Sequence, residues 1–331
     1  HPPFEVPDAV QTAWRAIAER GTVARAEWRR RLETSASAER FRQSLAKPDI
    51  QALEAAISNY KHKLSTDAPN VATRKASEMA LEIVNGTLPN TVGGSADLTG
   101  SNNTRTSTMV PVASGDFGGD YIHYGVREHA MAAIMNGISL HGGFIPYGGT
   151  FLVFADYLRP AMRLSALMER PVTYVLTHDS IGLGEDGPTH QPVETIASLR
   201  AMPNLTVIRP ADAVETAEAW EVAISSENSP TALCLSRQSL PALRRTHIDE
   251  NQLAKGAYLM RKPEKDRDVT LIATGSEVAL AMEAAEMLVD HGLRAAVVSA
   301  PSLELFAAQS VDFRADVLGT APRIAVEAGI W

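Results

Sequence analysis

The chain has 331 residues, 45% of them hydrophobic and 21% charged, with a formal net charge of −8. That apolar content supports a sizeable core and excludes a disordered chain. The acidic balance argues against a nucleic-acid protein, whose affinity comes largely from neutralising phosphates.

The chain opens on His-Pro-Pro-Phe-Glu, which lacks both an initiator methionine and the look of a signal peptide. The expectation is a segment that begins inside a longer protein. Between residues 8 and 66, Val10, Trp14 and Ile17, then Leu53, Ile57 and Tyr60, recur at helical spacing. This predicts two or three helices without visible chemistry, with Arg29, Arg30 and Arg31 on a solvated face. From about residue 67 the pattern changes. SEMALEIVNGTLP predicts a helix closed by Gly86, a short strand leads into GGSADL, and a helix runs through REHAMAAIMNGISLHGG. Short β-branched runs at 172–176, 205–209 and 231–236 alternate with helical stretches, which predicts a doubly wound parallel sheet. KGAYLMRKPEKDRD then predicts a charged linker. Beyond it, VTLIATGSEVALAMEAAEMLVDHGLRAAVVSAP repeats strand, glycine turn, helix and strand, an incomplete second α/β domain. ATGSE within it is an ordinary strand-to-helix turn, since GxGxxG is absent.

The one cysteine, Cys234, lies inside an apolar run and reads as a small buried hydrophobe. It allows no internal disulfide, which points to a reducing cytoplasm. No apolar run approaches the roughly 20 residues that span a bilayer.

In open parallel sheets, ligands bind beyond the carboxyl ends of the strands. His178 and Asp179 follow one predicted strand and Arg237 another, so both fall where a site is expected. The loop THDSIGLGEDGPTHQP packs two histidines, three acids and three glycines into sixteen positions behind a strand. Its glycines let the backbone turn tightly around something polar. Metal ligation is disfavoured, because His178 and His190 are far apart on flexible loop and no HExxH-type set occurs. A Ser-His-Asp hydrolase lacks its GxSxG elbow. Glu128 enters an apolar helix and reads either as a helix-start charge or as a buried acid that shares a proton with a heterocycle. Phe151, Phe154 and Tyr157 read either as core or as a stacking wall for a flat ring.

Taken together and in this order, ATRKASE, GGSADLTGSN, YIHYGVREHAMAAIMNGISLHGG, PYGGTF, THDSIGLGEDGPTHQPVE, RPAD, LSRQ, IATGSEV and VEAGI resemble transketolases over nearly the whole chain. The resemblance implies a thiamine-diphosphate-binding α/β fold. Residues 1–66 would link to a diphosphate-binding domain, 67–250 would be the pyrimidine-binding domain, and 251–331 an incomplete C-terminal domain. It implies transfer of a two-carbon ketol unit from a ketose phosphate such as xylulose 5-phosphate to an aldose phosphate such as ribose 5-phosphate. That reaction belongs to the pentose phosphate pathway and the Calvin cycle, in a cytoplasmic homodimer with the active site between subunits. Glu128 would hydrogen-bond the aminopyrimidine nitrogen of thiamine diphosphate, Phe151, Phe154 and Tyr157 would surround that ring, and Asp97 would lie close by. Arg74, Ser101, His178 and Arg237 would hold the sugar phosphate, Asp186 would read a hydroxyl, and His190 would face the reacting centre. By the same resemblance, the Mg²⁺ or Ca²⁺ ligands belong to the diphosphate domain, whose GDG…Asn motif this sequence lacks. No residue here is therefore expected to bind metal, and the chain alone is expected to be inactive. Gly100 departs from the Pro or Ser of many relatives beside Ser101. Dihydroxyacetone synthase, which uses formaldehyde as acceptor, shares most of these motifs. A non-catalytic binding module on the same fold is the alternative from another class.

Overall fold

A computed structural model describes residues 2–184 and 186–330; Glu185, inside the glycine-rich loop, lies outside the described residues. The chain divides into two units, His1–Lys47 and Pro48–Trp331. In the first, helix α1 (Asp8–Thr34) has Asp8 in its first turn and Arg31 in its last, each complementing the helix dipole. None of its residues is buried, and Trp14 is 70% exposed. Helix α2 (Ala38–Ser44) brings Phe41 edge-on to Trp28, with 6.3 Å between the rings.

The second unit begins with α3 (Ile50–Asp67), whose N-terminus is capped by the Asp49 carboxylate accepting from Ala52 N. Helix α4 (Thr73–Thr87) comes next. Gly86 does not close it: the helix continues to Thr87, whose hydroxyl donates back to the Ile83 carbonyl. The chain then builds β1 (Thr91–Ser95), β2 (Tyr121–His123), α5 (Glu128–His141), β3 (Ile145–Phe151) and α6 (Ala155–Leu167). It goes on through β4 (Thr173–Thr177), β5 (Thr206–Ile208), α7 (Ala213–Ser225) and β6 (Thr231–Leu235). These six strands form one sheet in the order β2-β1-β3-β4-β6-β5, with every pairing parallel. This is the doubly wound sheet expected from the alternating pattern.

Period-two alternation divides the strands' side chains between two cores. Val175, Leu233 and Leu235 join Leu53, Ile57, Leu81 and Trp220, so α3, α4 and α7 cover one face. Tyr174, Leu176, Ala232 and Cys234 join Met131, Met135, Leu158 and Met162, so α5 and α6 cover the other. Both faces are dry, which is why the strands read as continuous apolar runs. The glycines of β3 are required by close approach. A Cβ on Gly148 would stand 2.7 Å from Met135 Sδ, and one on Gly149 would stand 3.0 Å from Asn102 Cβ. Cys234 is fully buried, and burial pushes its thiol up to about 12.

The remaining strands are β7 (Tyr258–Arg261), β8 (Val269–Ala273), β9 (Ala295–Ser299) and β10 (Arg323–Val326). They form a second sheet in the order β10-β8-β9-β7, with helix α8 (Glu277–Asp290) between β8 and β9 in sequence. Only β7 runs antiparallel. The expected linker is thus partly an edge strand. Tyr258 anchors it, donating from its hydroxyl to buried Glu215 at 2.6 Å. No described helix is long and apolar enough to cross a membrane.

Buried charge joins the two sheets. Arg209, just beyond β5, is 0% exposed. It donates from Nε to Asp179 Oδ2 at 2.8 Å, from Nη1 to the Thr274 carbonyl at 3.1 Å, and to Glu277. Gly275 makes room for it, since a Cβ there would come within 2.7 Å of Arg209 Nε. The ATGSE turn therefore accepts a cation from the neighbouring sheet. Arg200 adds a bidentate pair to Glu327, 2.8 Å at each contact.

Candidate functional site

The carboxyl ends of β3, β4 and β6 lie in register, with Phe151 opposite Thr177 and Thr177 opposite Leu235. The segments leaving these strands therefore meet at one edge. Directly after β4 comes His178, at φ 63°. This left-handed conformation is uncommon outside glycine, though histidine, asparagine and aspartate tolerate it best. It turns the chain sharply out of the sheet. The imidazole is buried against the Phe151 ring, 3.7 Å between centroids, and its Nδ1 lies 2.9 Å from Thr177 Oγ1.

Two guanidiniums stand beside this ring. A short antiparallel ladder pairs Val71 with Leu240 and Ala72 with Ser239. Next to it, Thr73 N donates to Ser236 Oγ at 3.0 Å and Ser236 N donates to Thr73 Oγ1 at 2.7 Å. These bonds lock the start of α4 to the end of β6, and so set Arg74 beside Arg237. Arg74 donates to the Ser101 carbonyl at 2.9 Å, which brings the 99–102 turn into the same cluster. Burial first, then the charge of Arg237, lowers the Arg74 pKa, while exposed Asp186 opposes the shift. Two like charges are held together by backbone pairing, an arrangement that favours an anion between them.

His178 feels the same field. Burial, then Arg74, with smaller effects from Arg237 and His190, lowers its pKa from 6.5 to about 4, against a raising effect of Asp186. In the unfolded chain the ring titrates near 6.5. Between the two values only the unfolded state binds the proton, so folding stability rises with pH. The contribution of the neutral ring is complete above about 6.5 and is lost as pH falls through about 4. His178→Asn, which keeps the left-handed backbone, is expected to flatten the stability–pH curve over that window. Urea unfolding at several pH values checks this; parallel curves for the two proteins would refute it.

The second half of the site is aromatic and acidic. Glu128 starts α5 at 8% exposure and accepts a long hydrogen bond, 3.5 Å, from Thr150 Oγ1. Phe151 and Phe154 stack at 5.7 Å with 11° between planes, and His190 meets both rings edge-on at 5.8 and 5.3 Å. His190 Nδ1 lies 2.9 Å from Thr189 Oγ1. The structure thus brings His178, His190, Phe151, Phe154, Arg74, Arg237, Asp186 and the Ser101 turn together. Tyr157 reaches Phe154 at 6.0 Å but is 65% exposed. Asp97 sits exposed beyond β1 at φ 62°, and among the described residues no hydrogen bond or ion pair joins it to this cluster. Nor do the described residues contain a group of three His, Cys, Asp or Glu placed to hold a metal ion. Sequence reasoning missed Thr150 and Thr177, buried polar residues near strand ends, and Asn102, buried in the 99–102 turn; for the two threonines, polarity inside an otherwise apolar strand was the available signal.

Two family models match the chain: the transketolase pyrimidine-binding domain over residues 69–242 and the transketolase-like C-terminal domain over 256–331. The chain is similar to a transketolase of Cereibacter sphaeroides, 64% identical over 330 residues, covering 100% of this chain and 50% of that protein. It spans about half the length of this curated relative. It is also similar to a solved mutant transketolase of Pichia stipitis in complex with xylulose 5-phosphate, at TM-score 0.88 and 40% identity. That match covers 99% of this chain and 49% of the other. A split-gene transketolase, described as an inactive β4 tetramer, matches at TM-score 0.63 and 28% identity. It covers 78% of this chain and 80% of the other.

Proposed function

We propose that this chain, which belongs to the transketolase family, supplies the pyrimidine-facing and sugar-phosphate-facing half of a ketol-transferring active site. Transketolases depend on thiamine diphosphate and act on sugar phosphates. The donor read here is a ketose phosphate such as xylulose 5-phosphate, and the acceptor an aldose phosphate such as ribose 5-phosphate. The observation that carries this reading is the pairing of Arg74 with Arg237 against buried His178. Ser101 completes this phosphate cradle, and exposed Asp186 reads a hydroxyl along the sugar.

The residues also fit an aminopyrimidine. Glu128, a buried carboxyl, would hydrogen-bond the ring nitrogen, Phe151 and Phe154 would supply a stacked wall with Tyr157 beside Phe154, and Asp97 would come close to the cofactor. When bound, thiamine diphosphate supplies the electron sink for breaking and making the carbon–carbon bond. Glu128 would share a proton with the pyrimidine nitrogen once that ring is bound. His190, against the aromatic pair, donates and accepts protons at the substrate hydroxyl next to the reacting carbon. Mg²⁺ or Ca²⁺ would be held with the diphosphate by residues outside this sequence. The working enzyme is read as a cytoplasmic homodimer serving pentose phosphate interconversion. The half-length match and the inactive tetramer of the split-gene relative support the view that this chain needs a diphosphate-binding partner segment.

The test is Arg237→Ala in the assembled enzyme, since the 331-residue chain alone is expected to show no turnover. Binding of phosphorylated substrates should weaken by about 1.5–3 kcal/mol, the worth of one charged hydrogen bond. Equal loss with unphosphorylated hydroxypyruvate and an unphosphorylated aldehyde would sink the phosphate assignment.

A further inference from the structure

A buried line of hydrogen bonds runs behind His178. Ser95 Oγ donates to Asn102 Oδ1 at 2.9 Å, and Asn102 Nδ2 donates to Thr177 Oγ1 at 2.7 Å. Thr177 Oγ1 lies 2.9 Å from His178 Nδ1. Ser95, Asn102 and Thr177 are all fully buried. Gly149 leaves room for Asn102, since a Cβ there would crowd Thr104 Cγ2 at 2.7 Å and Asn102 Cβ at 3.0 Å.

Two proton orders satisfy every group on this line, because a carboxamide has one donor end and one acceptor end and the Thr177 hydroxyl, among the described hydrogen bonds, meets only Asn102 and His178 Nδ1. With Nδ2 toward Thr177, the threonine oxygen accepts from Asn102 and its own proton goes to His178 Nδ1. The ring then accepts at Nδ1 and carries its hydrogen on Nε2. In the reverse order Thr177 donates to Asn102, His178 donates from Nδ1, and Nε2 becomes a bare lone pair. That lone pair would face an anion held by Arg74 and Arg237, acceptor against acceptor. The first order turns a donor toward the same anion.

We propose that Asn102 and Thr177 are positioning residues that hold His178 as the Nε2–H tautomer, so that the ring offers a substrate phosphate a directed, uncharged donor between two guanidiniums. This deepens the sugar-phosphate reading of the site and rests on it. The division of labour has a physical basis. Arg74 and Arg237 already supply the attraction, and a third cation beside them would be repelled. A neutral N–H adds direction at no such cost. Arg74, Arg237 and His190 all disfavour a charged ring, Asp186 alone among the named neighbours favours one, and burial against Phe151 adds to the first group. The donor therefore persists across neutral and mildly acidic pH, in contrast to an ordinary histidine.

Neutron diffraction from deuterated crystals of the assembled enzyme near neutrality reads the proton positions directly. Deuterium on His178 Nε2, with the Thr177 deuteroxyl aimed at Nδ1, is the expected result. Deuterium on Nδ1 overturns the proposal and leaves the phosphate reading standing. Kinetics supply the second arm. Thr177→Val keeps the shape of the side chain but removes its proton. It should raise KM for phosphorylated substrates about fivefold to tenfold, the effect of one hydrogen bond. kcat and the KM for unphosphorylated substrates should hold, and Thr177→Ser should restore the lost affinity. If deuterium sits on Nε2 yet Thr177→Val and His178→Asn weaken phosphorylated and unphosphorylated substrates alike, the phosphate reading fails and the proposal fails with it.

Discussion

Glu128→Gln is expected to lower kcat of the assembled enzyme by about 100-fold or more, while affinity for the sugar phosphates stays nearly unchanged. The magnitude is that of a positioned proton-transfer group. The separation of effects comes from the fold. Glu128 begins α5 and touches Thr150 of β3, whereas Arg74 and Arg237 are placed by a different pairing, between the start of α4 and the end of β6. Glutamine keeps the shape and the helix start but cannot share a proton with a ring nitrogen as an acid does. Steady-state kinetics with added thiamine diphosphate measures both parameters. An unchanged kcat would remove Glu128 from the proton-transfer role, and an equal rise in KM would show that the two halves of the site are not independent.

Arg209→Met should destabilise the protein by about 3–5 kcal/mol, because removing one member of a buried ion pair leaves its partners charged and uncompensated. Here two partners are stranded, Asp179 in the segment leaving β4 and Glu277 at the start of α8. Asp179 is the more exposed to this loss, since its Oδ1 already has no hydrogen-bond partner among the described residues. Urea unfolding measures the effect. The triple variant that also carries Asp179→Asn and Glu277→Gln should recover most of it, because neutral amides no longer need the guanidinium. If Arg209→Met costs less than about 1 kcal/mol, the pair is solvated in solution and does not join the sheets.

The sequence displayed the architecture where physics made it redundant. β4 and β6 are buried on both faces, so they appear as unbroken apolar runs and could be placed by eye. β3 could not, because Pro146, Gly148 and Gly149 break its propensity, and those glycines answer to Met135 and Asn102. β7 was hidden by the charges that suit an edge strand. The site was legible in the same uneven way. His178 and Arg237 stand at strand ends, where ligands of parallel sheets collect. The neighbourhood of Arg74 and Arg237, by contrast, depends on a ladder between residues 71–72 and 239–240, and no local pattern announces that pairing. In the sequence Thr177 opens the glycine-rich loop, whereas in the fold it ends β4; its place in the hydrogen-bonded line comes from Asn102, which a glycine in another strand leaves room for.

Lys61 also constrains how the molecule is made. Its ammonium, 1% exposed, donates to Glu218 and to the carbonyls of Asp249 and Glu250, the last of them 189 residues later in the chain. A growing polypeptide leaves the ribosome from its N-terminus, so α3 emerges long before anything exists to neutralise that charge. Burying the ammonium unpaired would cost several kcal/mol. Helix α3 cannot complete its native docking over Lys61 until Glu218 has been added to neutralise the charge and residues 249–250 to accept its remaining hydrogens. The earliest-made helix of this unit thus depends on late-made residues for its docking, and while it waits, the stripe of Leu53, Ile57 and Leu64 is a surface that a chaperone could cover.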